Sequence, residues 1–266
     1  MPGAKSRPCF LTLGDVNPNL PLFVYLPGMD GTGQLLRSQT KDLGTAFEIR
    51  ALAIPPDDLS NWEELSSVVV NLIEGIIKDQ PSRLVYLCGE SFGGCLAVKV
   101  AQSAPHLIDR IILSNPATSF NQRPWLQWGG QLSCWLPESV YEASALVLLP
   151  FLSSLGRMTH RERIDLLNAM RSIPATTTNW RISLVSNFNI DETQLGRITQ
   201  SVLIIASGAD QLLPSVKEAK RLVKCIPNAK MLVLPQSGHA CLLEKDVNLF
   251  GLIEEQNFSP SYVSKV

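Results

Sequence analysis

The sequence has 266 residues, 45% of them hydrophobic and 18% charged, with 23 Lys and Arg against 24 Asp and Glu for a formal net charge of −1. A chain of this length buries about three quarters of its unfolded surface, and it contains no block of Lys or Arg, so nucleic-acid binding has no electrostatic footprint. Its most apolar run, Ala143 to Leu152, is broken by Pro150 and falls well short of the ~20 residues that a membrane-spanning helix needs.

Taken in chain order, Leu22 to Leu26 is expected as a strand leading into Pro27-Gly28-Met29-Asp30-Gly31-Thr32-Gly33 and a helix near Gln34 to Leu43. Phe47 to Ile54 is the next strand, stopped by Pro55-Pro56. Ser60-Asn61-Trp62-Glu63 then reads as a capping box for a helix reaching about Asp79. Leu84 to Cys88 is a strand, Gly89-Glu90-Ser91-Phe92-Gly93 a tight turn, Phe92 to Ala104 a helix, and Arg110 to Leu113 a strand. From about Ala117 to Arg197 no clear strand is legible, but helical stretches and the tryptophans Trp125, Trp128, Trp135 and Trp180 are. The alternation resumes with a strand at Val202 to Ala206, a helix at Pro214 to Cys225, a strand at Lys230 to Leu234 and a last helix after Cys241. This rhythm predicts an α/β protein with a mostly parallel central sheet flanked by helices. Residues 1–116 and 198–266 form the core, and 117–197 a helical cap over the crevice at the carboxyl ends of the strands.

The six cysteines (Cys9, Cys88, Cys95, Cys134, Cys225, Cys241) show no C-x-x-C spacing and read as buried free thiols of a reducing compartment. The start, MPGAKSRPC, lacks the apolar stretch of a secretory signal. The expected location is the cytoplasm, or a plastid if a transit peptide has been removed.

G-x-S-x-G between a strand and a helix is what a nucleophile elbow requires: the glycines allow a sharp turn and the hydroxyl of Ser91 stands above the sheet. A serine is a weak nucleophile until a base accepts its proton. Of three histidines, His106 lies at the far end of the elbow helix and His160 sits among charged residues of the insertion. His239, directly after the last strand, is the expected base. Asp210, after the strand before it, is the expected acid, giving the chain order Ser, Asp, His; the equivalent place one strand earlier holds Asn115-Pro116 and no carboxylate. The backbone N–H groups of Phe92 and Met29 are the expected oxyanion donors. The loop from Pro27 to Gly33 matches neither nucleotide-binding glycine pattern. His160 to Asp165 matches an H-x-x-x-x-D by spacing, a chance agreement because residues five apart share a helix face poorly. Gly28 with Trp125, Trp128 and Trp135 is expected to line the substrate site, the tryptophans either packing the cap helices or covering an acyl chain.

The segments LPGMDGTG (26–33), LAIPPDD (52–58), VYLCGESFGGCLAVKVA (85–101) and LSNPAT (113–118) resemble the hydrolase half of the plastid and cyanobacterial esterase/lipase/thioesterase proteins, within the α/β-hydrolase superfamily. That resemblance implies the α/β-hydrolase fold, Ser91, Asp210 and His239 as triad, and acyl lipids as substrates. The larger members continue into a glycerolipid acyltransferase-like domain, and this sequence stops at Val266, so hydrolysis of an ester or thioester is the simpler expectation. Acyl transfer to phytol or diacylglycerol is the alternative, and a non-catalytic receptor for lipophilic ligands on the same fold is a second. No metal or organic cofactor is required. The partner is a small lipophilic acyl substrate, any membrane contact being peripheral.

Overall fold

The apolar runs become one seven-stranded sheet in the computed structural model, which describes residues 7–122, 146 and 148–260. The strands are β1 (Cys9–Thr12), β2 (Leu22–Leu26), β3 (Glu48–Ala53), β4 (Val85–Glu90), β5 (Arg110–Ser114), β6 (Ser201–Ser207) and β7 (Ala229–Leu234). Their spatial order is β1-β3-β2-β4-β5-β6-β7; β1 runs antiparallel to β3 and every other neighbouring pair is parallel. Among the described residues, the helices with both ends defined are α1 (Thr40–Leu43), α2 (Trp62–Ile77), α3 (Phe92–Ser103), α4 (His160–Arg171), α5 (Ala175–Ser186), α6 (Glu192–Gly196), α7 (Ser215–Cys225) and α8 (Leu249–Glu255).

All residues of β2 and β4 are buried, as parallel strands covered on both faces must be. Strand alternation sends Leu22, Val24 and Leu26 to one face, where they join the buried stripe of α2 (Leu65, Val69, Ile73) and the small and aliphatic residues of α3. It sends Phe23 and Tyr25 to the other face, against Leu36, Leu43 and the α8 residues Leu249 and Ile253. The α2 stripe repeats every three or four residues because one side of that helix faces the sheet.

Several local expectations are corrected. β1 was not anticipated; four half-exposed residues are too few to show alternation. The helix expected from Gln34 to Leu43 divides into a 3-10 turn, Leu35–Gln39, and the short α1. The N-cap of α2 is Asn61, not Ser60: the Asn61 side chain accepts from the Glu64 N–H, and Glu64 accepts in return from the Asn61 N–H. Ser60 instead pairs with Asp58. Cys88, Cys95 and Cys241 are buried free thiols, but Cys9 is exposed and Cys225 half-buried. Among the described residues, the stretch 117–197 supplies α4, α5 and α6, helical residues at 146 and 148–152, short 3-10 turns and no strand. No helix among those residues is long and apolar enough to cross a membrane.

Among the described glycines, those with the least room lie where α3 meets the ends of β2 and β4. A Cβ on Gly93 would overlap the carbonyl oxygens of Leu26 and Pro27, and one on Gly89 would overlap the Gly93 backbone. Backbone cannot yield as a flexible side chain can, so Gly93→Ala is expected to destabilise the fold by roughly 3 kcal/mol. Urea unfolding of purified Gly93→Ala beside the wild type measures this.

Candidate active site

Parallel register decides which loops meet. Leu26 of β2 pairs with Gly89 of β4, and Met29 and Phe92 each lie three residues beyond that pair, so both leave the sheet at the same edge. β6 and β7 end at the paired residues Ser207 and Leu234, and Asp210 and His239 follow them within a few residues. Ser91 stands at the turn itself, with φ 52° and ψ −112°. A non-glycine residue in such a conformation costs about 1–3 kcal/mol. The cost is met by bonds on both sides of its peptide: the Ser91 N–H donates to the Ser114 carbonyl at 3.0 Å, and its carbonyl accepts from Gly94 at 2.9 Å and Ala117 at 3.0 Å. Gly94, which the sequence reading did not single out, is needed here because a Cβ would meet Pro116 at 2.6 Å.

The three side chains form one chain of hydrogen bonds. His239 Nε2 lies 2.8 Å from Ser91 Oγ, and His239 Nδ1 lies 2.8 Å from Asp210 Oδ2. A carboxylate only accepts, so Nδ1 carries the proton and Nε2 presents its lone pair to the serine O–H. Burial pushes the Asp210 carboxyl up, but the His239 imidazole, the Ser215 hydroxyl and the Leu213 N–H outweigh it and hold the group below its ordinary value. The Leu212 and Leu213 N–H groups reach Asp210 Oδ1 at 2.8 and 2.9 Å, and the Ser215 hydroxyl donates to Oδ2. Burial pulls the His239 imidazole down, while Asp210 and, more weakly, Glu90 push it up; the net shift is upward. The His239 loop is anchored from both sides: the Gly238 N–H donates to Glu244 at 2.7 Å, the Ala240 N–H to the Leu152 carbonyl at 2.7 Å, and Glu244 also pairs with Arg157 at 2.6 Å.

Phe92 is the first residue of α3, so its N–H has no acceptor within the helix. Its ring is buried against Trp62, with centroids 4.6 Å apart. Gly28 places its Cα hydrogens beside Ser91; a Cβ there would stand 3.9 Å from the Ser91 Cβ. The Met29 carbonyl accepts from Arg181 of α5 at 2.7 Å, and Arg181 donates also to the Pro55 carbonyl at 3.0 Å. This buried guanidinium occupies space that Gly31, at φ 67°, leaves open: a Cβ there would lie 2.6 Å from Arg181 Nη1. Trp62 and Trp180 each donate an indole N–H to a backbone carbonyl, of Leu184 and Ser60 respectively, tying α5 to the start of α2.

His106 and His160 are exposed, on the 3-10 turn after α3 and on α4. Asp165 is exposed too and pairs with Arg161 at 3.8 Å. Trp125, Trp128 and Trp135 lie outside the described residues. No group of three or more His, Cys, Asp or Glu side chains gathers as a metal site among the described residues. Arg181, Asn115 and the Tyr25–Glu90 pair were not singled out from sequence. Glu90 and Asn115 carried local signals, the one as an acid beside the serine and the other as the residue that directly follows a strand.

A family model described as serine aminopeptidase, S33, matches residues 58–246. The chain is 34% identical over 258 residues to phytyl ester synthase 1, chloroplastic, of Arabidopsis thaliana, covering 88% of this chain and 36% of that protein. It is 28% identical over 277 residues to phytyl ester synthase 2, chloroplastic, of the same plant, covering 92% and 38%. The chain thus spans little more than a third of these relatives. It is 25% identical over 232 residues to the pimeloyl-[acyl-carrier protein] methyl ester esterase of Vibrio parahaemolyticus, covering 83% and 88%. Among solved structures, MenH from S. aureus superposes with a TM-score of 0.75 at 15% identity, covering 95% and 99%. MGS-M2, an alpha/beta hydrolase enzyme from a deep-sea metagenome library, gives 0.76 at 17%, covering 95% and 94%. These two likenesses bear on fold alone.

Among the described residues, the buried Glu90 has no ion pair with a Lys or Arg. Glu90 precedes Ser91 and is 8% exposed, and the Tyr25 hydroxyl donates to its carboxylate. Burial pushes it up, opposed by the Tyr25 hydrogen bond and reinforced by Asp30, to about 7. The folded state therefore holds this proton more tightly than the unfolded chain, where a Glu titrates near ~4.3. The stabilisation is complete below that pH and is lost as pH rises through 7, a loss on the order of 3 kcal/mol. Glu90→Gln keeps an acceptor for Tyr25 without the charge. Its melting temperature should match the wild type near pH 4.5 and exceed it at pH 8.5; thermal melts across that range test the point.

Proposed function

Because the chain belongs to the α/β-hydrolase superfamily, in the family described as serine aminopeptidase, S33, we propose that it cleaves a carboxylic ester or thioester of a lipophilic acyl substrate through an acyl-enzyme on Ser91. The observation that carries this reading is the unbroken Ser91–His239–Asp210 hydrogen-bond chain at the N-terminus of α3. Ser91 Oγ attacks the carbonyl carbon while His239 Nε2 takes its proton, and Asp210 holds the imidazole and offsets its charge. The oxyanion forms against the N–H groups of Phe92 and Met29, each such donor contributing about 3 kcal/mol to the transition state. Collapse expels the alcohol or thiol with the proton from His239. Water, activated by the same imidazole, then releases the acid.

The lipophilic substrate is supported by the similarity to the two plant phytyl ester synthases. It is supported also by Leu146, Leu148 and Phe151, apolar and exposed in the segment whose Leu152 carbonyl holds the His239 loop. The same side chains suit peripheral contact with membrane lipid, in a plastid or the cytoplasm. A second reading, transfer of the acyl group to phytol or another long alcohol, is favoured by the 34% identity to phytyl ester synthase 1. Incubation with an acyl donor and phytol separates the two: a hydrolase yields free acid, a transferase yields ester.

Ser91→Ala is expected to remove hydrolysis of p-nitrophenyl esters and labelling by a fluorophosphonate. Unchanged hydrolysis in that variant would refute the nucleophile assignment. Since His239 acts as a neutral base and its pKa is raised, the acid limb of kcat/KM should lie above about 6.5. In Asp210→Asn that limb should move down and the rate should fall about 10³-fold or more. A pH–rate profile of both proteins checks this.

A further inference from the structure

We propose that Asn115 is a positioning residue for the whole Ser91–His239–Asp210 array, fixing through its carboxamide the two loops that carry His239 and Asp210. The inference rests on the reading of those residues as the reacting groups.

Asn115 is the first residue after β5, fully buried and in the left-handed region with φ 42°. Its Nδ2 donates to the His239 carbonyl at 2.6 Å and to Ser207 Oγ at 2.8 Å, with Cys241 Sγ at 3.6 Å, and its Oδ1 accepts from the Ser207 N–H at 2.8 Å. The orientation of the amide is not arbitrary. A backbone N–H can only donate and a carbonyl can only accept, so Oδ1 must face Ser207 and Nδ2 must face His239. The position therefore asks for a donor and an acceptor on one short planar group, in a backbone conformation that Asn tolerates better than most residues. Aspartate lacks the donor, glutamine is a methylene longer, and leucine offers neither.

The neighbours of Asn115 complete the hub. Ser114 and Ala117 bond both sides of the Ser91 peptide, the Asn115 N–H donates to the Ile205 carbonyl of β6 at 2.9 Å, and Pro116 packs on Gly94 of α3. A four-residue turn that contributes no reacting group thus touches the serine, the strand end three residues before the aspartate, and the histidine. The His239 ring must meet Ser91 and Asp210 at once, and misplacement by an ångström costs about 10²-fold in rate.

Two variants test this. Asn115→Asp is isosteric but sets an oxygen against the His239 carbonyl; Asn115→Gly removes the side chain and tolerates the positive φ. Each is compared with the wild type for cooperative melting, for the fluorophosphonate labelling rate of Ser91 between pH 5 and 9, and for kcat and KM on a p-nitrophenyl ester. In labelling, the Ser91 Oγ–P bond forms, fluoride leaves and the serine proton passes to His239, so the rate reports alignment without knowledge of the natural substrate. The expected result is folded variants that label at least ~10-fold more slowly, with kcat lowered, KM unchanged and a displaced acid limb. Folded variants that label at the wild-type rate would overturn the inference. So would failure of both variants to fold, which would make Asn115 a residue of the fold alone. An unlabelled wild type would overturn the nucleophile reading, and this inference with it.

Discussion

The structure depends on how closely one helix start approaches two strand ends. At Gly89 and Gly93 there is only hydrogen where other residues carry a methylene, and backbone lies directly behind it. This contact drives Ser91 into its strained turn, sets Phe92 at the head of α3 where its N–H has no acceptor within the helix, and lines it up with Met29 across the β2–β4 pairing. Neither strain nor the helix terminus would be useful alone. Together they raise a hydroxyl and a pair of amides at the same sheet edge, where the loops after β6 and β7 also emerge.

The site is supported unequally by polar groups. Asp210 collects two backbone amides, a serine hydroxyl and the imidazole, so its charge is stabilised although it is buried. Glu90, the residue before Ser91, has one hydrogen bond from the Tyr25 hydroxyl and only a weaker pull from His239 against its burial, and its affinity for a proton rises instead. Two carboxyls at one site are thereby driven in opposite directions by their surroundings, a pattern common where protons are moved. Arg181 shows the converse: a guanidinium satisfied by two carbonyls, with Asp30 and Asp58 acting on it only through space.

Much of this was legible in the chain. The apolar runs between turn signals gave the places of six strands along the chain and a mostly parallel sheet, because buried parallel strands read as short continuous apolar runs. Ser91, Asp210 and His239 were separable from their competitors because each directly follows a strand. What stayed hidden depended on distant partners. Asn115 takes its meaning from Ser207 and His239, 92 and 124 residues along the chain, and Arg181 from a loop 152 residues away. Ser60 and Asn61 are both acceptable caps, and only the geometry of Glu64 chooses between them. The edge strand β1 is too short and too exposed to announce itself.

The Arg181 bridge has a consequence for how such a protein diversifies. Helix α5 lies in the stretch between β5 and β6, yet its Arg181 guanidinium grips the peptide that follows Met29. Gly31 has to stay small for that grip to exist. A shift of α5 is therefore transmitted to the loop after β2, and changes in that loop are felt by α5. A substitution in one region has to be accommodated in the other, so a graft of one alone would arrive mismatched.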